Sequence, residues 1–97
     1  LINVGEKRFF PIDVEEVIGS IPELGREYQI ILDKPKEQER LKVNVEYKPE
    51  VKELAAVRSR VENQIGQSLG VESEVGLLPV GSIGRALFKA QRVVAKY

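Results

Sequence analysis

From Leu41 to Tyr47 apolar and polar side chains alternate without a break, Leu41, Val43, Val45 and Tyr47 against Lys42, Asn44 and Glu46. A period of two marks a half-buried strand of an antiparallel sheet, with one face on a core and the other toward water. Such a sheet needs a layer over its apolar face, and the flanking segments read as two helices. Pro11 opens the first, where a missing N–H costs nothing. Asp13, Glu15 and Glu16 follow in the first turns, where the helix dipole favours them. Val14, Val17, Ile18 and Ile21 recur at helical spacing before Pro22 and Gly25 end the element. Pro49 and Glu50 start the second helix, with Val51, Leu54, Ala55, Val61, Ile65 and Leu69 along one face and Gly70 as the C-terminal cap. Arg58 falls inside that stripe, and its stem is expected along the edge of the core with its head in water.

Three more strand-like stretches complete the order. Leu1 to Val4 is one, with Arg8-Phe9-Phe10 extending it past an irregularity at Gly5. Glu27 to Asp33 is the second, followed by the polar turn Lys34 to Gln38, and Val71 to Leu78 is the last, stopped by Pro79. The resulting β-α-β-β-α-β order is the ferredoxin-like pattern, an α+β fold with two helices on one face of a four-stranded, largely antiparallel sheet. At 97 residues there is room for one domain with one modest core. Beyond that unit come Val80-Gly81-Ser82-Ile83-Gly84 and a basic C-terminal arm, in which Val93 and Val94 either add an edge strand or end a short helix.

Composition narrows the chemistry. There is no Cys and no His, which removes thiolate nucleophiles, Cys/His zinc sites, Ser-His-Asp triads and disulfides. The longest apolar runs, such as Ile30-Ile31-Leu32, are far too short to span a bilayer, and no secretory signal is visible, so the expected location is the cytoplasm. A chain that starts with Leu1 inside a strand-like run is expected to be an excerpt of a longer polypeptide. The net charge of zero conceals an asymmetry. Residues 1–80 carry eleven basic and fifteen acidic side chains, whereas 81–97 carry Arg85, Lys89, Arg92 and Lys96 with no acid. A neutral body with a cationic arm suits a local anion better than a long polyanion, which would want a broad basic face. RNA binding would also need aromatics gathered on the central strands. Phe9, Phe10, Tyr28, Tyr47, Phe88 and Tyr97 are scattered, so no nucleic-acid partner is expected.

Gly81 and Gly84 free the backbone just ahead of the basic arm, and a lysine beyond them can be delivered to an anionic centre as a compact charge with three donors. By spacing alone Lys89 reads as an ordinary surface lysine. Its surroundings say more. Phe9-Phe10-Pro11 followed by Val14-Glu15-Glu16-Val17-Ile18, Ile21-Pro22-Glu23-Leu24-Gly25 with Tyr28-Gln29-Ile30-Ile31-Leu32-Asp33, and Leu78-Pro79, Gly81-Ser82, Arg85 and Lys89-Ala90-Gln91-Arg92-Val93 occur in that order. Together they resemble the C-terminal domain of the phenylacetate–coenzyme A ligase family, within the acyl-adenylate-forming superfamily.

The resemblance implies that residues 1–97 are the lid domain of an AMP-forming aryl- or acyl-acid–coenzyme A ligase, inactive in isolation, with a larger N-terminal adenylation domain as partner. It implies ATP with Mg2+ and coenzyme A as substrates of the whole enzyme, with none held by this domain alone. It makes Lys89 the counterpart of the lysine that swings over the large domain to the carboxylate and the ATP α-phosphate, with Arg85, Gly84 and Arg92 as further candidate binding residues and no metal ligand. Two stretches depart from the family pattern. Ala86-Leu87-Phe88 stands where Ser-Glu-Gly is usual, and Glu6-Lys7-Arg8 where Gly-Val-Asn is usual. These departures keep open a divergent adenylating enzyme that forms no coenzyme A thioester. A ferredoxin-like ligand-binding regulatory module is the third reading.

Overall fold

The computed structural model describes residues 1–83 and 92–97. Its main sheet is built on the alternating segment. Strand β5 (Leu41–Tyr47) pairs antiparallel with β3 (Leu24–Leu32) and parallel with β6 (Ser73–Pro79), and the short strand β7 (Val93–Ala95) lies parallel on the far side of β3. The order across the sheet is β6-β5-β3-β7. Helices α1 (Pro11–Gly19) and α2 (Leu54–Leu69) pack on one another and on β3 and β6. Val14, Val17 and Ile18 of α1 and Val57, Val61 and Ile65 of α2 share a single core with Tyr28, Ile30, Leu41, Val43, Val45 and Val75. Because Leu41, Val43 and Val45 face the helices, Lys42, Asn44 and Glu46 face the other way.

Local chemistry explains the helix ends. Pro11 occupies the first turn of α1, and the Asp13 carboxylate accepts the Phe10 N–H at 2.8 Å. The C-terminus of α2 closes at Gly70, whose φ of +70° is left-handed and whose N–H donates to the Gly66 carbonyl at 3.0 Å. The second helix begins at Leu54, later than Pro49, so its buried row is Val57, Val61 and Ile65. Val51 packs on the core from the preceding loop, Ala55 is exposed, and Arg58 is exposed as well.

The α+β class and the two helices on one face agree with the sequence reading, and two strands take unexpected places. Residues 1–10 do not enter the main sheet. Gly5, at φ +57°, and Glu6 turn β1 (Ile2–Val4) back on β2 (Lys7–Phe9), with Ile2 opposite Phe9 and Val4 opposite Lys7. The other edge of β1 pairs parallel with β4 (Glu37–Gln38), making a small second sheet. With β1 occupied there, the fourth place in the main sheet goes to β7, and the sheet is mixed where a largely antiparallel one was expected. Gln38 is buried and holds its loop closed: its Oε1 accepts the Asp33 N–H at 2.9 Å and its Nε2 donates to the Lys34 carbonyl at 2.8 Å.

Candidate functional site

The C-terminal arm leaves the sheet at one edge and rejoins it at the other, since β6 and β7 are its two outer strands. At the departure, Ser82 donates through its backbone N–H (3.1 Å) and its Oγ (2.7 Å) to the Pro79 carbonyl, and Gly81 takes a φ of +92°. This turn puts the Ile83 N–H 2.8 Å from Oε2 of Glu46, which accepts it. Glu46 lies on the sheet face away from the helices and is only 4% exposed. A carboxylate removed from water in this way has to find donors within the protein.

At the return, Arg92 meets three side chains from two other elements. Its Nη1 lies 3.3 Å from Oε2 of Glu27 and its Nε 4.0 Å from Oε1 of Glu15, and its guanidinium carbon sits 4.6 Å from the centroid of the Tyr28 ring. The Tyr28 hydroxyl donates to the same Glu15 Oε1 at 3.1 Å. Burial, and then the hydrogen bond to Glu15, push the Tyr28 phenol up to about 12. The Arg92 side chain is 14% exposed. Its flat, weakly hydrated fork suits this setting, stacked on a ring and matched to carboxylates. Beyond it, Val93, Val94 and Ala95 pair with Ile30, Ile31 and Leu32, and the Lys96 N–H donates to the Leu32 carbonyl at 2.8 Å.

Of the four residues singled out in the sequence, only Arg92 belongs to the described residues, and its charge is matched by Glu27 and Glu15. Gly84, Arg85 and Lys89 lie outside the described residues. The acceptors that tie the arm down, Glu46, Glu27 and Glu15, were not singled out. Glu46 reads as one more polar residue of an alternating strand, and Glu27 stands 65 positions from its partner.

Two depressions lie elsewhere among the described residues. One shallow depression is lined by Asp33, Lys34, Glu39 and Lys42, whose charges pair among themselves as Lys34–Glu39 at 2.8 Å and Lys42–Asp33. Another runs between the β1–β2 turn and Gly70-Val71. No group of three or more carboxylates among the described residues is placed to hold a metal ion, and no helix among them is long and apolar enough to cross a membrane.

With this geometry in hand, residues 7–96 match the family model of the AMP-binding enzyme C-terminal domain. A solved domain of phenylacetate-coenzyme A ligase from Bacteroides vulgatus ATCC 8482 superposes with a TM-score of 0.80 at 25% identity, over 98% of this chain and 91% of that one. 2-Hydroxyisobutyryl-CoA ligase in its postadenylation state superposes with a TM-score of 0.87 at 22% identity, over 98% of this chain. The same ligase with 2-HIB-AMP and CoA in its thioesterification state gives 0.83 at 22% identity, over 96% of this chain. The present chain spans about one fifth of that ligase, 21% and 20% in the two states. A search by sequence among curated proteins gave no match.

Proposed function

The chain belongs to the family of AMP-binding enzyme C-terminal domains, and on that premise we propose that it is the mobile lid of an ATP-dependent, AMP-forming acid–coenzyme A ligase in which Lys89 is the adenylation lysine. The family match across residues 7–96 carries this reading, because it takes in the whole basic arm with Lys89-Ala90-Gln91-Arg92-Val93. The substrate is an aryl or acyl carboxylic acid, as in phenylacetate-coenzyme A ligase, and the enzyme works in the cytoplasm. The pocket for the acid, ATP and its Mg2+ belongs to an N-terminal adenylation domain of the same polypeptide. That division of labour suits a chain in which the charges lining the depression at Asp33, Lys34, Glu39 and Lys42 pair with one another.

The chemistry assigned to Lys89 is electrostatic. When a carboxylate attacks the ATP α-phosphate, two anions converge and negative charge builds on the phosphoryl oxygens. An ammonium held at that junction lowers the barrier directly, and one well-placed donor is typically worth roughly 3–4 kcal/mol. A covering domain also keeps out the water that would hydrolyse the acyl-adenylate. In the second half-reaction a thiol attacks a neutral acyl carbonyl, and Lys89 has no comparable task.

ATP–pyrophosphate exchange with a panel of aryl and acyl acids tests the reading. The enzyme assembled with its adenylation domain should exchange, Lys89→Ala should lower exchange about two to three orders of magnitude, and the 97-residue chain alone should be silent. Exchange unaffected by Lys89→Ala would refute the assignment. Exchange without coenzyme A thioester formation would refute the ligase and leave an adenylating enzyme with another acceptor.

A further inference from the structure

We propose that Arg92 is a positioning residue for adenylation: clamped by Glu27, Glu15 and Tyr28, it fixes the backbone three residues beyond Lys89 and so limits where the ammonium can be presented. The inference rests on the reading of Lys89 given above. Three residues span at most about 10 Å even when fully extended, whereas the tie at Ile83 lies six residues before Lys89 and allows about 20 Å. Of these two anchors among the described residues, the Arg92 clamp therefore constrains Lys89 more tightly.

Its construction is specific to arginine. Glu27 and Tyr28 come from β3, Glu15 from α1, and Arg92 from the arm, so the guanidinium ties the arm to both layers of the body. The Tyr28 hydroxyl holds the Glu15 carboxylate while the ring carries the cation on its face. A lysine would keep the charge but lose both the stacking and the fork. The backbone alone is a weaker tether, because β7 has three residues on an outer edge of the sheet. A strand that short frays readily without side-chain support.

The test compares Arg92→Ala, Arg92→Lys, Tyr28→Phe and Lys89→Ala in the enzyme assembled with its adenylation domain, and follows amide hydrogen exchange of the same variants. Arg92→Ala should lower kcat for adenylation roughly tenfold to a hundredfold, the range expected when a catalytic group is misplaced by about 1 Å. KM for ATP and for the acid should stay within about twofold, since the Arg92 guanidinium is taken up by Glu27, Glu15 and Tyr28. Arg92→Lys should restore only part of the loss, and Tyr28→Phe should give a smaller effect of the same kind. In the 97-residue chain the amides of Val94 and Lys96, which face β3, should exchange faster in Arg92→Ala, while those of Val43 and Val45 keep their wild-type protection. If Lys89→Ala slows adenylation and Arg92→Ala does not, the clamp is overturned and the role of Lys89 stands. If Arg92→Ala raises KM at constant kcat, Arg92 contacts substrate and the positioning role is overturned. If Lys89→Ala itself has no effect, both readings fall together. Should Arg92→Ala unfold, Tyr28→Phe decides alone: unchanged kcat with unchanged β7 exchange overturns the proposal.

Discussion

In the body of the domain, Val14, Ile30, Val45, Val61 and Ile65 are sealed from water in one apolar core, whereas among the described residues the arm is tied through one carboxylate at Ile83, the Arg92 clamp and three residues of β7. The body is held by many small, non-directional contributions that act together. The described ends of the arm are held by directional ties that can each be loosened without unfolding the rest. On the proposed function, the lysine lies in sequence between two ends, Ile83 and Arg92, that are each tied through side chains. A domain that must present one charge to one step and withdraw it for the next gains from such a division, because a rigid body keeps its shape while the arm keeps its register.

The contrast is broken most easily from the body side. Ile65→Ala removes a side chain with no exposure from the row Val57-Val61-Ile65 and should destabilise the domain by about 2–5 kcal/mol in urea unfolding. A loss below about 1 kcal/mol would mean that α2 is not packed as described.

A smaller effect is expected at the clamp. The Tyr28 phenol titrates at about 12 in the folded chain, above its ordinary 10, so the folded state holds its proton where the unfolded chain releases it. That contribution is fully present below pH 10 and is lost as the pH rises from about 10 to 12. Wild-type stability should therefore fall more steeply over that range than the stability of Tyr28→Phe, which lacks the titrating group. Parallel curves would show that Tyr28 is not enclosed with Glu15. The smallest effect belongs to the exposed pair Asp33–Lys42, with side chains 42% and 38% accessible. Asp33→Asn should leave Tm close to that of the wild type, and calorimetry showing a clear loss would place structural weight on a surface that carries none in this account.

The same division decides what the sequence could reveal. The body announced itself because its forces are periodic: alternation in Leu41–Tyr47, Pro11 at the start of α1 and Gly70 at the end of α2 are all local signals. Residues 1–10 misled because the turn at Gly5-Glu6 is as local a signal as the strand it interrupts, and only the pairing of β1 with Gln38 shows where the hairpin belongs. In the arm, the edge-strand alternative for Val93 and Val94 is the one realised. The family resemblance makes Arg92 a candidate binding group, yet what its guanidinium meets, Glu27 and Glu15, follows from chain topology and no short motif encodes it. Glu46 was hidden for a related reason. Its neighbours Lys42 and Asn44 share its face, and its burial and its bond from the Ile83 N–H come from a segment 37 positions away.

Single-turnover kinetics of the two half-reactions, with the second started from pre-formed acyl-adenylate, put the role of Lys89 to the most direct test. Lys89→Ala should slow adenylation by about two to three orders of magnitude and leave thioester formation within about twofold of wild type. Equal losses in both steps would contradict the account, in which the lid has carried Lys89 away from the reacting atoms before the thiol attacks.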